Sequence, residues 1–218
     1  MNVATQKSLI PGLAGNIEIA IDEPSPGAFV TPRGVAVIAH PHPLFGGTLD
    51  NKVVQTVARA FVQSGWTTVR FNFRGVGASA GTHDEGSGET EDYLAVVAHA
   101  LTLSPGTALA LAGFSFGAFV TTHAAARLAP TQPIEALVLV GTSVSRAPAA
   151  LIDALLQPQA LVIHGETDDT VLLTDVMDWA RPQALPVTVV PGCGHFFHGQ
   201  LPLLKGLVTR HLCSVSPG

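Results

Sequence analysis

Charge is scarce in this 218-residue chain: Asp, Glu, Lys and Arg make up only 12% of it, against 47% of apolar types. A chain so poor in charge must bury much of itself. Its 16 acidic residues outnumber the 11 basic ones, so it offers no basic surface for nucleic acid. Cysteine is almost absent. Cys193 and Cys213 have no metal-type spacing; a lone disulfide between them is possible, but two thiols in a cytoplasmic protein is the reading favoured here. No apolar run reaches the roughly 18 residues that span a bilayer. The opening MNVATQKSLI lacks an apolar stretch ahead of a small-residue cleavage site, so the expectation is a cytoplasmic protein without a signal peptide. Internal repeats, low-complexity tracts and Pro/Gly-rich linkers are also missing, and the length suits one substantial core, so residues 1–218 are read as a single domain. The high apolar fraction hints at a buried homodimer surface.

What is present is an alternation of short β-branched runs with longer amphipathic or Ala-rich stretches, the pattern of βαβ units. Strands are expected at 17–21, 34–39, 67–71, 108–112, 136–140, 160–163 and 187–190, and helices at 50–63, 89–103, 116–128, 149–156, 172–180 and 201–212. The runs VAVIA, ALVLV and ALVI are apolar at nearly every position, as in strands covered on both faces. The fold class is therefore α/β: a mostly parallel sheet of about seven strands with helices on both faces, the N-terminal strand serving as an antiparallel edge.

The pattern G-x-S-x-G occurs twice, around Ser79 and around Ser115. A nucleophile elbow needs a strand before it and a helix after it. Ser115 follows the apolar run 108–112 and precedes GAFVTTHAAARLA; Ser79 is followed by Gly81, Gly86 and Gly88 among polar residues, which cannot start a helix promptly. Ser115 fits and Ser79 does not. The first N–H of the helix, from Phe116, would have no intrahelical acceptor and would sit at the positive end of the dipole, suited to an oxyanion.

A serine hydroxyl needs a base to take its proton, and the base needs an orienting acid. Asp168 lies 53 residues beyond Ser115, just past ALVI, and His195 a further 27 on, just past VTVV. Both fall where loops meet the carboxyl rim of a parallel sheet. Asp169 is the rival acid. His198 is a candidate cap for the next helix, and His99 and His123 fall inside helices. After the strand 34–39, His40-Pro41-His42-Pro43-Leu44-Phe45-Gly46-Gly47 is held non-helical by its prolines and glycines. Because prolines lack an N–H, the second oxyanion donor must be His42, Leu44 or a later residue, and His42 is preferred. His40 and His42 form an H-x-H pair, but no third ligand accompanies them, so no metal is assigned and bracing hydrogen bonds are the alternative.

Together these segments resemble the α/β-hydrolase superfamily, and within it small cap-less hydrolases related to dienelactone hydrolases. HPHPLFGG, NKVVQTVARAF, RFNFRGVGAS, HDEGSGE, GFSFG, HGETDDTV and GCGHFFHG carry the likeness in the expected order over most of the chain. The resemblance implies Ser115 as nucleophile, Asp168 as acid and His195 as base, oxyanion donors at Phe116 and in the loop after His40, and esterase activity without a cofactor. Dienelactone hydrolases commonly use cysteine where this chain has Ser115, so lactone chemistry is not carried over. Arg74 is expected to anchor its loop by pairing with Asp84 or Glu85. Only 141–159 separates two strands at the usual place of a lid, so the cleft should be open. Leu44, Phe45, Phe114, Phe116, Phe196 and Phe197 are expected along it, and the substrate would be a small ester of short-to-medium acyl length. An acyltransferase or thioesterase using the same three residues, and a non-catalytic binding protein of the same fold, are the rivals.

Overall fold

The computed structural model describes residues 5–25, 27–29, 31–145 and 148–215. Strands β1 (Gln6–Gly12), β2 (Gly15–Asp22), β3 (Gly34–Ala39), β4 (Thr67–Phe71), β5 (Ala108–Phe114), β6 (Ala136–Val140), β7 (Ala160–Gly165) and β8 (Val187–Val190) form one sheet in the order β1-β2-β4-β3-β5-β6-β7-β8. The pairs β1–β2 and β2–β4 are antiparallel and all others are parallel. Helices α1 (Lys52–Gln63), α2 (Ser87–Leu103), α3 (Phe116–Leu128), α4 (Leu173–Ala180) and α5 (Leu201–Val215) cover it.

The period-2 alternation of a strand divides the core in two. Val35, Val37 and Ala39 of β3 pack with α2, α3 and α4 through Tyr93, Val96, Ala118, Val120 and Val176. Ala36 and Ile38 point the other way, into a second core with Val53, Val57 and Phe61 of α1 and Leu204, Val208 and Leu212 of α5. Because both faces are buried, β3, β4 and β6 are buried at every position. Tyr93, the only tyrosine, ties α2 to the sheet centre: its hydroxyl lies 2.8 Å from the Val37 carbonyl and accepts the Ala112 N–H at 3.1 Å.

Two expectations need correction. The sheet has eight strands rather than about seven, because β1 pairs with β2 along its whole length; the strand at 17–21 is thus interior and β1 is the edge. β1 is largely exposed and contains Pro11, which an edge strand tolerates and a central one does not. No helix forms at 149–156 either. There Ala150 N–H donates to Thr122 Oγ1 at 3.0 Å, Ile152 N–H to Gln183 Oε1 at 2.9 Å and Leu155 N–H to Asp153 Oδ1 at 2.8 Å. Side chains satisfy the backbone groups that a helix would have paired. No cap domain stands between β6 and β7, only this loop and a 3₁₀ turn at Gln157–Gln159 among the described residues. Among those residues no helix is long and apolar enough to cross a membrane.

Candidate active site

The chain turns from β5 into α3 at Ser115, whose backbone is left-handed, at φ 57° and ψ −118°. For a non-glycine residue this conformation is strained, and the surroundings hold it: Ser115 N–H donates to the Val140 carbonyl at 2.8 Å, and its carbonyl accepts from Phe119 at 3.1 Å and Ser143 at 3.2 Å. The bracketing glycines are steric requirements. A Cβ on Gly113 would lie 2.4 Å from the Gly117 carbonyl oxygen, and one on Gly117 would lie 2.4 Å from that of His40. Only a chain lacking both side chains can close this turn against β3 and place the serine hydroxyl at the sheet's rim.

The structure brings Ser115, His195 and Asp168 together. His195 Nε2 stands 2.9 Å from Ser115 Oγ, and His195 Nδ1 stands 2.7 Å from Asp168 Oδ2. All three are buried. Asp168 Oδ1 also accepts N–H groups from Thr170 at 3.0 Å and Val171 at 2.8 Å, which orients the carboxylate. Burial works against ionising Asp168, but the hydrogen bonds from His195 and Val171, with the positive charge available to His195 and His164, outweigh it and hold the carboxyl below the usual range. Asp169 instead is exposed, and its carboxylate accepts from the Thr170 hydroxyl, at 3.4 Å, and not from His195.

The loops carrying the acid and the base are tied to each other. Thr167 N–H donates to the Cys193 carbonyl at 3.0 Å, and Gly192 N–H to Glu166 Oε2 at 2.8 Å. A Cβ on Gly165 would meet the Cys193 oxygen at 2.3 Å. His164 braces the acid loop from below: its Nε2–H donates to the Val171 carbonyl at 2.9 Å and lies 3.6 Å from Asp168 Oδ2, and burial lowers its pKa.

Phe197, two residues after His195, is fully buried and left-handed at φ 52°. Phe197 is therefore the peg that seats the His195 loop in the core shared with α5. Phe197→Ala is expected to cost about 3–5 kcal/mol of unfolding free energy, the usual loss for emptying a buried phenylalanine site. Calorimetry of the variant beside wild type checks this.

The first loop departs from its expected non-helical path over three residues. Residues Pro43–Phe45 form a 3₁₀ turn, with His42 as its N-cap, Nδ1 accepting from Leu44 N–H at 3.3 Å. His40 is a brace and has no nitrogen left for a metal: Nδ1 donates to the Pro41 carbonyl at 2.6 Å and Nε2 accepts from Phe73 N–H at 3.0 Å. Burial pushes its pKa down to about 4, so it is neutral in the fold. An unfolded histidine titrates near 6.5, so between these values the unfolded chain binds the proton and the folded one does not. The stabilisation is complete above pH 6.5 and is lost as pH falls toward 4. Between pH 7 and pH 4, urea unfolding should lose about 3 kcal/mol more in wild type than in His40→Asn.

The aromatic residues divide. Phe114 is buried and packs against the imidazole of His195, with ring centroids 4.9 Å apart, so it supports the base rather than lining an open cleft. Phe197, also expected along the cleft, is core. Phe196 is half exposed beside His195 at 5.1 Å. Leu44, Phe45 and Phe116 line a cavity of about 380 Å³. His42, His83, Glu85, Phe119 and Ser143 complete its wall. His83, Phe119 and Ser143 carry no site signal of their own in the sequence, and Glu85 enters there only as a candidate partner of Arg74. His198 is exposed and pairs with Phe196 at 5.9 Å.

The second G-x-S-x-G is structural. Ser79 Oγ donates to the Asn72 carbonyl at 2.7 Å and accepts from Glu18 N–H at 2.9 Å, stitching the turn after β4 to β2. Arg74 anchors that turn as expected, but its main partner is Asp92 of α2, which it grips with Nε at 2.9 Å and Nη2 at 2.8 Å. Asp84 lies 3.8 Å away and Glu85 is not a partner.

A serine on a strained strand-to-helix turn, at the carboxyl rim of a mostly parallel sheet without an inserted lid, defines the α/β-hydrolase class. Residues 42–174 match the family described as the alpha/beta hydrolase fold. A lidless α/β serine hydrolase from Xanthomonas campestris superposes with a TM-score of 0.89 at 34% identity, covering 100% of this chain and 98% of that one. An α/β serine hydrolase homologue from Coxiella burnetii gives 0.79 at 37% identity, covering 95% and 97%. An uncharacterized protein of Rickettsia prowazekii is 29% identical over 189 residues, 83% of this chain and 79% of its own. The chain belongs to the α/β hydrolase family.

Proposed function

We propose that this protein is a serine esterase that cleaves carboxylic esters of short-to-medium acyl length through an acyl-enzyme. The observation that carries the reading is the continuous relay from Ser115 Oγ through both nitrogens of His195 to Asp168, with contacts of 2.9 and 2.7 Å. In the first step His195 Nε2 takes the hydroxyl proton as Ser115 attacks the ester carbonyl. The Phe116 N–H and an N–H of the loop after His40, with His42 as the preferred donor, hold the oxyanion. His195 then gives its proton to the departing alcohol. Water, activated in the same way, releases the acid. Asp168 stays ionised throughout, which its depressed pKa favours, and stabilises the imidazolium. No cofactor is assigned to this chemistry, and the partner is a small-molecule ester.

The short-to-medium range is supported by the modest room near the nucleophile, where a cavity of about 380 Å³ is lined by its chain neighbour Phe116. With p-nitrophenyl esters, turnover is expected from acetate through octanoate and should fall at least tenfold for palmitate. Equal rates on all chain lengths would refute the size limit. Absence of turnover on every ester would refute the esterase reading.

A further inference from the structure

The cavity beside Ser115 has an unusual wall: five of its lining residues, His42, Phe45, His83, Phe116 and Phe119, carry aromatic rings. Resting on the esterase reading above, we propose that this cavity receives the acyl half of the substrate and selects acyl groups that end in a flat aromatic ring.

The side of the substrate follows from proton transfer. His195 must protonate the leaving oxygen, so the alcohol half lies toward His195, beside the exposed ring of Phe196, 5.1 Å from the imidazole. Phe196 does not line the cavity. The cavity is bounded instead by Phe116, the residue after the nucleophile, and by Ser143, whose N–H donates to the Ser115 carbonyl, and neither ring that packs on His195 lines it. The half of the ester remaining on that side is the acyl group.

The preference for a ring follows from the wall. His42 lies 4.7 Å from Phe45, 4.8 Å from His83 and 4.9 Å from Phe116, and Phe116 lies 5.8 Å from Phe119, all in tilted geometry. These are favourable aromatic spacings, and a substrate ring would extend the same network. The wall is also fixed in place. The loop that carries His83 and Glu85 is held by the buried carboxylate of Glu89, which accepts N–H groups from Asp84 at 2.9 Å and Gly86 at 2.8 Å. Gly86 leaves room for Phe119, since a Cβ there would come within 2.5 Å of the ring. An apolar cavity of about 150 Å³ accepts benzene, so this one has room for a ring and the atoms linking it to the carbonyl.

The test compares p-nitrophenyl phenylacetate with p-nitrophenyl cyclohexylacetate. The two share leaving group and carbon count, and neither conjugates the ring with the carbonyl. A merely greasy slot would favour the saturated ring. We expect kcat/KM to favour the phenyl ester by about fivefold or more. The ratio should fall toward one in His83→Leu/Phe119→Leu. Should that variant not fold, the wild-type ratio and the single Phe119→Leu variant decide. Equal or better use of the cyclohexyl ester by an enzyme that turns over p-nitrophenyl acetate would overturn the aromatic preference and leave the esterase reading standing. Failure on all three esters would overturn both.

Discussion

Ser115→Ala should lower kcat on p-nitrophenyl esters by roughly 10⁵–10⁶-fold, and Ser115→Gly should do the same while making the protein more stable. Both variants remove the hydroxyl that His195 faces, so acyl transfer has no nucleophile, and only oriented water and the oxyanion donors remain. They differ in what they do to the backbone. Ser115 is held at φ 57° and ψ −118°, between glycines whose Cβ atoms would collide with Gly117 and His40 backbone oxygens. Alanine inherits that strain and glycine relieves it, by about 1 kcal/mol. Calorimetry would show Ser115→Gly melting above wild type and Ser115→Ala close to it. This opposite movement of activity and stability is the signature of a strained elbow; a serine that merely fills a turn would show little change in rate.

The second large effect is expected at Asp168. Asp168→Asn should reduce kcat about 10⁴-fold, whereas Asp169→Asn should stay within about twofold of wild type. The reason is geometric. Asp168 Oδ1 accepts two backbone N–H groups, from Thr170 and Val171, while Oδ2 accepts from His195. In an asparagine the carbonyl oxygen must remain with the two backbone donors, so the amide NH₂ turns toward His195 Nδ1. That nitrogen must then accept, which moves the imidazole proton to Nε2, the atom that has to receive the serine proton. Steady-state rates for the two variants, with thermal melts to show that both fold, check the assignment. A larger loss at Asp169 would assign the acid to the wrong residue.

Much of this arrangement was legible in the chain, because the residues that build it obey rules with a fixed spacing. Central strands announce themselves as unbroken apolar runs when both faces are covered, and the elbow announces itself by glycines at two positions either side of a serine. Context then separated Ser115 from Ser79, since only one is followed by a helix-forming stretch. Other features carry no such period. β1 escaped notice because an exposed hairpin strand that contains Pro11 has neither an apolar run nor strict alternation. The segment 149–156 has helical composition, but Thr122 and Gln183, distant in sequence, supply its hydrogen bonds instead. Arg74 reaches its near neighbour Asp84 only at 3.8 Å, while the fold offers Asp92 from the next helix as the closer partner. The cavity wall was the least readable part. His83 and Glu85 sit in a polar, glycine-rich stretch that looks like an ordinary surface loop, and their position beside Phe116 depends on how that loop packs across the rim.

A fluorophosphonate probe, followed by peptide mapping, interrogates the relay most directly, because phosphonylation needs an activated hydroxyl and no knowledge of the natural ester. One adduct on Ser115 is expected in the folded protein, absent in Ser115→Ala and strongly slowed in His195→Ala. A folded protein that takes no label, or one labelled at Ser79 or Ser143 instead, would mean that the contact between Ser115 and His195 does not activate the serine.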